Sequence, residues 1–181
     1  MERKTDCYSR RSPQSMALIL SLITGITLAM LIHELGHVFA ARRCDVSASE
    51  IGFGVGPRLF SFSARNLKFT LKIFPLASFV RLDGTALIER SVWQQLFVHL
   101  GGVLFNLTAA SVAQGTLFGR VNLLLALANL LPLYQHDGWK CGVVLMRALL
   151  RKQSRPVEWV FTFSGGVASL VIITSLIHFF K

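Results

Sequence analysis

The chain has 181 residues, of which 52% are hydrophobic and only 15% are charged, whereas soluble domains have about 25% charged residues. Lysine and arginine number 19 against 9 acidic residues, so the formal net charge is +10. The high apolar content excludes a disordered chain. The basic residues lie between long apolar runs, which argues against a nucleic-acid-binding protein. This pattern is typical of an integral membrane protein whose positive charges flank its spans.

The N-terminal part of the sequence divides into a polar, basic tail over residues 1–15 and an uncharged run over residues 16–32. The run continues directly into a polar motif, without the small-residue cleavage site that ends a signal peptide. We therefore expect an uncleaved first span. The three cysteines are scattered and odd in number, so we expect no disulfide framework.

Four apolar segments predict about four transmembrane segments within a single domain over residues 16–181. A span requires about 20 mainly apolar residues, so the third segment qualifies only as a helix that breaks at Pro132. Irregular backbone at membrane depth survives only where protein or a water-filled cavity covers it, which makes this break a candidate site. The segments are 16–41, 92–118, 121–131 resuming as a helix over 137–150, and 159–180.

Between the first two spans, the sequence predicts a small β region over about residues 50–84. Residues 58–63 and 66–74 both tend to alternate between apolar and polar side chains, which is typical of the two strands of a hairpin. Residues 52–57 are expected to be a flexible entry, and residues 77–82 a third short strand. The predicted fold class is a mainly α polytopic membrane protein with a small β-hairpin insertion.

The distribution of positive charge predicts the orientation in the membrane. With four spans, eight Lys/Arg residues in 42–90 and four in 147–155 lie on one side, and six lie on the other. The positive-inside rule then places the hairpin in the cytoplasm and both termini outside, although the basic N-terminal tail opposes this orientation. The expected localisation is the bacterial cell (inner) membrane, with the active site towards the cytoplasmic side.

A metal-binding motif lies in the last third of the first apolar segment. His33 and His37 are four residues apart, so both imidazoles lie on one face of a helix and can reach one zinc ion. Glu34 follows the first ligand and can take a proton from an activated water. Ionisable groups are costly in an apolar span unless they function, which favours a catalytic site over a polar helix end with chance spacing.

A catalytic zinc usually has three protein ligands and one open position, so a third ligand is required. Asp137 is favoured because it follows the break at Pro132 and begins the next helical segment. The same aspartate could instead be only a helix N-cap. The candidates that the sequence leaves open are Asp137, His99, His136, His178 and Asp83.

Three motifs occur in an order and spacing that resemble the site-2 protease family, whose members are intramembrane zinc metalloproteases. The motifs are HExxH at His33–His37, Gly-x-x-x-Asn at Gly102 and Asn106, and Asn-x-x-Pro with Asp-Gly at Asn129, Pro132, Asp137 and Gly138. The resemblance covers roughly residues 19–150 and indicates a minimal core without a PDZ or CBS domain.

The resemblance implies a role for each matching residue. His33, His37 and Asp137 would bind one zinc ion, and Glu34 would be the general base. Two asparagines, Asn106 and Asn129, would contribute polar groups near the substrate or the developing oxyanion. The hairpin would present an edge to an extended substrate segment.

The sequence departs from the family pattern at three positions without changing the ligands. Tyr134 stands where the family often has a second proline, His136 stands where a leucine commonly precedes the aspartate, and Val103 replaces a frequent proline. His136 is interpreted as a polar residue of the cavity or interface. The alternative is a residue that contacts and supports the metal ligands.

The predicted function is hydrolysis of peptide bonds in membrane-embedded substrates, either in regulated intramembrane proteolysis or in the processing of signal peptides and small peptides. Expected partners are a membrane-spanning protein or peptide, the lipid bilayer and possible accessory membrane proteins, but no nucleic acid. Two alternatives stay open: a catalytically silent protein of the same scaffold that binds client helices, and a zinc-binding membrane carrier.

Overall fold

The computed structural model describes residues 13–64, 67–150 and 155–179. Six helices and one two-stranded antiparallel sheet follow one another along this part of the chain. They are α1 (Pro13–Arg43), β1 (Ala48–Ala64), β2 (Leu67–Leu82), α2 (Gly84–Ile88), α3 (Val92–Val112), α4 (Leu117–Leu130), α5 (Asp137–Leu150) and α6 (Arg155–Phe179). The mainly α class with a small β insertion between the first two long helices is thus confirmed. Most of the predicted tail lies outside the described residues, as do Cys7 and part of the hairpin turn.

The first apolar segment forms one uninterrupted helix, α1, of 31 residues. Arg42 and Arg43 occupy its last turn, where positive charge is favourable at the negative end of the helix dipole. α1 ends at Arg43, and Asp45 in the turn that follows has a left-handed φ of 53°. α1 therefore presents the apolar run and the HExxH motif on one continuous helix.

The hairpin has the predicted pairing but longer strands. Ser61 lies opposite Thr70, and Ile51 lies opposite both Phe69 and Val80. The start of β1 therefore pairs on one side with the first part of β2 and on the other side with its last part. Residues 52–57 belong to β1, which corrects the prediction of a flexible entry. The positive φ angles of Gly54 and Gly56 bend the strand there without ending it. The third predicted strand, residues 77–82, is the last part of β2.

The second apolar segment ends earlier than predicted. α3 begins with a capping box, in which Ser91 and Gln94 bond each other's backbone N–H, and it ends at Val112. Gly115 then adopts a φ of +77°, and the Thr116 side chain caps α4. The break between the predicted segments 92–118 and 121–131 therefore lies between residues 112 and 117 and not after residue 118. A turn glycine and a capping threonine end one helix and begin the next, although the composition there is apolar.

Two described helices are long and apolar enough to cross a membrane. They are Ser15–Arg43, with a mean hydropathy of 2.3, and Val92–Val112, with a mean hydropathy of 1.4. Two further apolar stretches, Leu117–Leu130 and Glu158–Ile172, are shorter helices. The count of about four spans is not confirmed by these lengths and stays a prediction.

α1 and α3 approach so closely that only glycine fits at their contact. A Cβ atom on Gly36 would lie 2.3 Å from the carbonyl oxygen of Gly101, and one on Gly101 would lie 2.5 Å from the carbonyl oxygen of Gly36. A cluster of small and medium apolar side chains packs beside this contact, formed by Ala40, Ala41, Cys44, Val46, Leu87 and Val98. The glycine contact thus brings the backbone of α3 against the face of α1 that carries the motif.

Replacing Gly36 with alanine is expected to destabilise the protein by about 1–3 kcal/mol, because the added methyl must push two backbones apart. The free energy of unfolding in detergent, followed by circular dichroism, measures this effect. The control is Gly166→Ala in α6, where an added Cβ meets nothing within 4 Å. The control is expected to be neutral or slightly stabilising, since alanine favours a helix. Equal stability of the Gly36 variant and the wild type would contradict the packing described.

Candidate metal centre

Three side chains from two helices converge on one point. His33 and His37 lie one turn apart on α1, and their Nε2 atoms are 3.2 Å apart. Asp137, the first residue of α5, places Oδ2 3.0 Å from Nε2 of His33 and 3.2 Å from Nε2 of His37. All three side chains are buried. The structure therefore brings together the two histidines of the motif and the favoured third ligand.

This geometry fits a zinc ion. Ligands at 2.0–2.2 Å around a tetrahedral zinc are separated from one another by about 3.3 Å, close to the three separations found here. Oδ2 of Asp137 makes no hydrogen bond of normal geometry, although the two imidazole nitrogens are its near neighbours. Burying a charged carboxylate oxygen without a hydrogen bond is costly, so a cation bound there would stabilise it. Among the described residues, these three form a group able to hold a metal ion.

The other candidates for the third ligand have different environments. The Asp83 carboxylate accepts hydrogen bonds from the backbone N–H groups of Thr85 and Ala86, so it caps α2. His136 contacts the carbonyl oxygen of Tyr134 through Nδ1, and His99 lines the neighbouring cavity. His178 lies exposed near the end of α6. None of these four belongs to the convergent group of described residues.

The break before α5 explains why an aspartate can reach the histidines of α1. α4 ends at Leu130, the chain is irregular from 131 to 136, and Gln135 has a φ of 72°. A Cβ on Gly138 would lie 2.1 Å from the carbonyl oxygen of Leu130, so the start of α5 folds back tightly onto the end of α4. The predicted broken helix is therefore present, and its break positions Asp137.

Two of the three ligands, His37 and Asp137, are also held by a second contact. Nδ1 of His37 lies 2.9 Å from the carbonyl oxygen of Val98, which can accept only if Nδ1 carries the proton. Nε2 of His37 is then free to bind a metal. Lys140 bonds Oδ1 of Asp137 at 3.0 Å, which leaves Oδ2 for the centre. Sequence reasoning did not find Lys140, although its position three residues after an aspartate at a helix start is a signal for such a pair.

Glu34 lies beside the metal ligands with a buried side chain. The Ser78 hydroxyl, near the end of β2, donates a hydrogen bond of 2.6 Å to its Oε1 atom. Ser78 lies in the last part of β2, and sequence reasoning gave it no role. The contact of Ser78 with Glu34 depends on the sheet packing against α1, which no local sequence pattern predicts.

A cavity of about 710 Å³ opens at the site. Its lining includes both histidines, Glu34, Asp137 and residues 77–80 of β2. Asn129 and His136 line it as well, and Asn129 donates a hydrogen bond to the carbonyl oxygen of Leu125. Asn106 is absent from the lining residues and is instead fully buried, 3.3 Å from Nδ1 of His33. The roles of the two asparagines at a substrate stay predictions.

Comparison with known proteins gives consistent matches. A protein of Thermotoga maritima is 30% identical over 105 residues, covering 51% of this chain and 21% of the relative, and its name includes the words zinc metalloprotease. The zinc metalloprotease RasP of Geobacillus kaustophilus is 34% identical over 71 residues, covering 39% of this chain and 17% of the relative. The matches thus span about a fifth of the length of these relatives.

The model of peptidase family M50 matches residues 21–119, more than half of the chain. This range contains the HExxH motif, the hairpin and the Gly-x-x-x-Asn motif, and it ends before Asp137. The third ligand is therefore supported by the convergence of the side chains, independently of the family match. With its metal-binding group and its matching motifs, the chain belongs to peptidase family M50, the site-2 protease family.

Proposed function

We propose that this chain is the catalytic core of an intramembrane zinc metalloprotease that cuts peptide bonds within membrane-embedded segments. The observation that carries the proposal is the position of the site. His33, Glu34 and His37 lie on α1, the most apolar of the candidate spans, and Glu34 faces a cavity beside Asp137. Such groups are rare and costly at membrane depth unless they function there.

The residues of the site divide the chemistry between them. His33, His37 and Asp137 would hold the zinc, which supplies Lewis acidity that polarises the scissile carbonyl and makes water acidic near neutral pH. Glu34 accepts the proton of the attacking water and delivers it to the nitrogen of the leaving amine. Ser78 holds one oxygen of Glu34, so that Oε2 is the oxygen left for this transfer. Asn129 offers a polar side chain at the cavity wall.

The sheet provides a way to present an extended substrate. A peptide bond inside a helix is shielded, so a substrate helix must first become extended. Residues 78–82 of β2 pair with the start of β1, and residues 77–80 line the cavity. A substrate segment that adds to this strand would have its backbone held by hydrogen bonds next to Glu34. The proposed substrate is therefore a membrane-spanning protein or peptide that can unfold locally.

The proposed setting is a multi-pass protein of the bacterial inner membrane, with about four spans and the site towards the cytoplasm. The membrane-embedded nature of the family and the two long apolar helices support this setting. The surplus of Lys/Arg in residues 42–90 and 147–155 supports the orientation. Accessory membrane proteins that bring substrates to the site are proposed as partners.

The proposal is tested with purified protein in detergent micelles, loaded with zinc, and a peptide that contains one apolar span of about 20 residues. Mass spectrometry of the products is expected to show cleavage within or at the end of that span, and chelation of the metal is expected to stop it. Stoichiometric zinc and bound peptide without any cleavage would favour the silent binding protein. Zinc uptake into vesicles without cleavage would favour the carrier.

A further inference from the structure

Asn106 lies behind the metal centre in an environment that its predicted contact with substrate does not explain. It sits in α3 with 0% of its surface exposed. Its amide nitrogen, Nδ2, is placed 3.3 Å from Nδ1 of His33, and its Oδ1 has no hydrogen-bond partner. One turn earlier, Gly102 leaves room for the imidazole, since a Cβ there would lie 2.6 Å from the ring. The Gly-x-x-x-Asn motif therefore surrounds one side of His33.

The orientation of the Asn106 amide decides which nitrogen of His33 can bind a metal. If the amide N–H donates to Nδ1, then the imidazole proton must be on Nε2, the atom that faces Asp137 and His37. A protonated Nε2 has no lone pair for a metal. If Oδ1 accepts from Nδ1–H instead, then Nε2 is free. The two orientations have nearly the same shape, so the hydrogen-bond chemistry must choose between them.

We propose that Asn106 is a positioning residue, whose Oδ1 accepts a hydrogen bond from Nδ1–H of His33 and thereby directs the Nε2 lone pair to the metal. Three observations support this orientation. Nε2 of His33 lies in the three-residue ligand group, and the Val98 carbonyl plays the matching role for His37. With Nδ2 towards His33, the buried Oδ1 of Asn106 has no hydrogen-bond partner, and exchanging the two amide atoms gives it one. α3 thus fixes the tautomers of both histidines, with one backbone oxygen and one side-chain oxygen.

This inference rests on the proposed metal ligands but not on the cleavage reaction. It assigns Asn106 a role that does not require contact with substrate, which agrees with its absence from the cavity lining among the described residues. It also explains why a buried, polar side chain is present one turn after Gly102 on an apolar helix.

Zinc affinity tests the proposal, measured at one pH by competition with a chromogenic chelator. Asn106→Leu keeps the approximate volume but removes the acceptor, and it is expected to bind zinc about 10- to 100-fold more weakly than the wild type. Asn106→Asp keeps an acceptor and cannot donate, so its zinc affinity is expected to be at least that of the wild type. The matched control is Asn122→Leu in α4, which is equally buried and bonds the carbonyl oxygen of Phe118; its zinc affinity is expected to be unchanged.

The outcomes separate the proposal from the metal assignment on which it rests. Wild-type affinity in Asn106→Leu, or an equal loss in the leucine and aspartate variants, would show that the amide does not act through an acceptor. Failure of the wild type to bind zinc would instead contradict the metal centre itself. Nitrogen-15 NMR of the histidine rings in the zinc-loaded wild type requires no variant to fold. It is expected to show the His33 proton on Nδ1, and a proton on Nε2 would overturn the proposal.

Discussion

Replacing Glu34 with glutamine is expected to reduce peptide-bond cleavage by about 10²- to 10⁴-fold while zinc stays bound, because the amide keeps the shape of the side chain but cannot accept a proton. The Ser78 hydroxyl can still donate to the amide oxygen, so the position of the side chain is maintained. The rate constant for cleavage of the membrane-spanning peptide and the zinc content per chain are measured together. Cleavage at the wild-type rate would contradict the assignment of Glu34 as the general base.

The control for this prediction is Glu89→Gln. Glu89 follows α2 and lies exposed, outside the lining of the cavity among the described residues. The Glu89→Gln variant makes the same chemical change and removes the same charge, so its cleavage rate is expected to equal that of the wild type. Loss of activity in both variants would indicate an effect of net charge instead of proton transfer at the site.

Replacing Asp137 with asparagine is expected to weaken zinc binding by more than about 100-fold, because even the partners that support a ligand typically contribute 10- to 100-fold. The amide oxygen is neutral and is a poor ligand compared with a carboxylate. Cleavage is expected to disappear at stoichiometric zinc and to return in part when zinc is added in excess. Competition with a chelator measures the affinity, and the cleavage assay measures the recovery.

Asp83→Asn is the matched control for the third ligand. It removes an aspartate that caps α2 and lies outside the metal-binding group. This variant is expected to keep wild-type zinc affinity. If Asp137→Asn binds zinc as tightly as the wild type, then the third ligand is a different residue. His99 and His136 line the same cavity, and their alanine variants would identify which of them binds.

Local patterns in the sequence predicted the two histidine ligands, the general base and the hairpin. The i, i+4 spacing of His33 and His37 is enough to place both side chains on one face of a helix, because helical geometry depends only on neighbours in the chain. The apolar run before them predicted a long helix, and α1 confirms it. The alternation over residues 66–74 likewise predicted a strand, and residues 67–74 form the first half of β2.

The same patterns misplaced the boundaries inside apolar sequence. Hydropathy alone joined α3 to the connection that follows it, since leucine and phenylalanine suit a helix and a buried turn equally well. Gly115 and Thr116 decide the boundary through a left-handed backbone angle and a side-chain cap. Residues 52–57 were expected to be flexible because they contain glycines, but pairing with β2 keeps them in the strand. Pairing between strands is a long-range interaction, so composition did not reveal it.

By itself, the sequence determined that the protein is an apolar, basic chain with a zinc-binding motif on its first long helix. It left the third ligand as a choice among five residues, because Asp137 is about 100 residues from His37 and no local rule connects them. Among these five, the tertiary structure brings Asp137 to both histidines through close packing. Gly36 and Gly101 allow α3 to touch α1, and Gly138 allows α5 to fold back, so that the carboxylate meets both imidazoles. The contacts of Ser78 with Glu34 and of Asn106 with His33 likewise exist only in the tertiary structure.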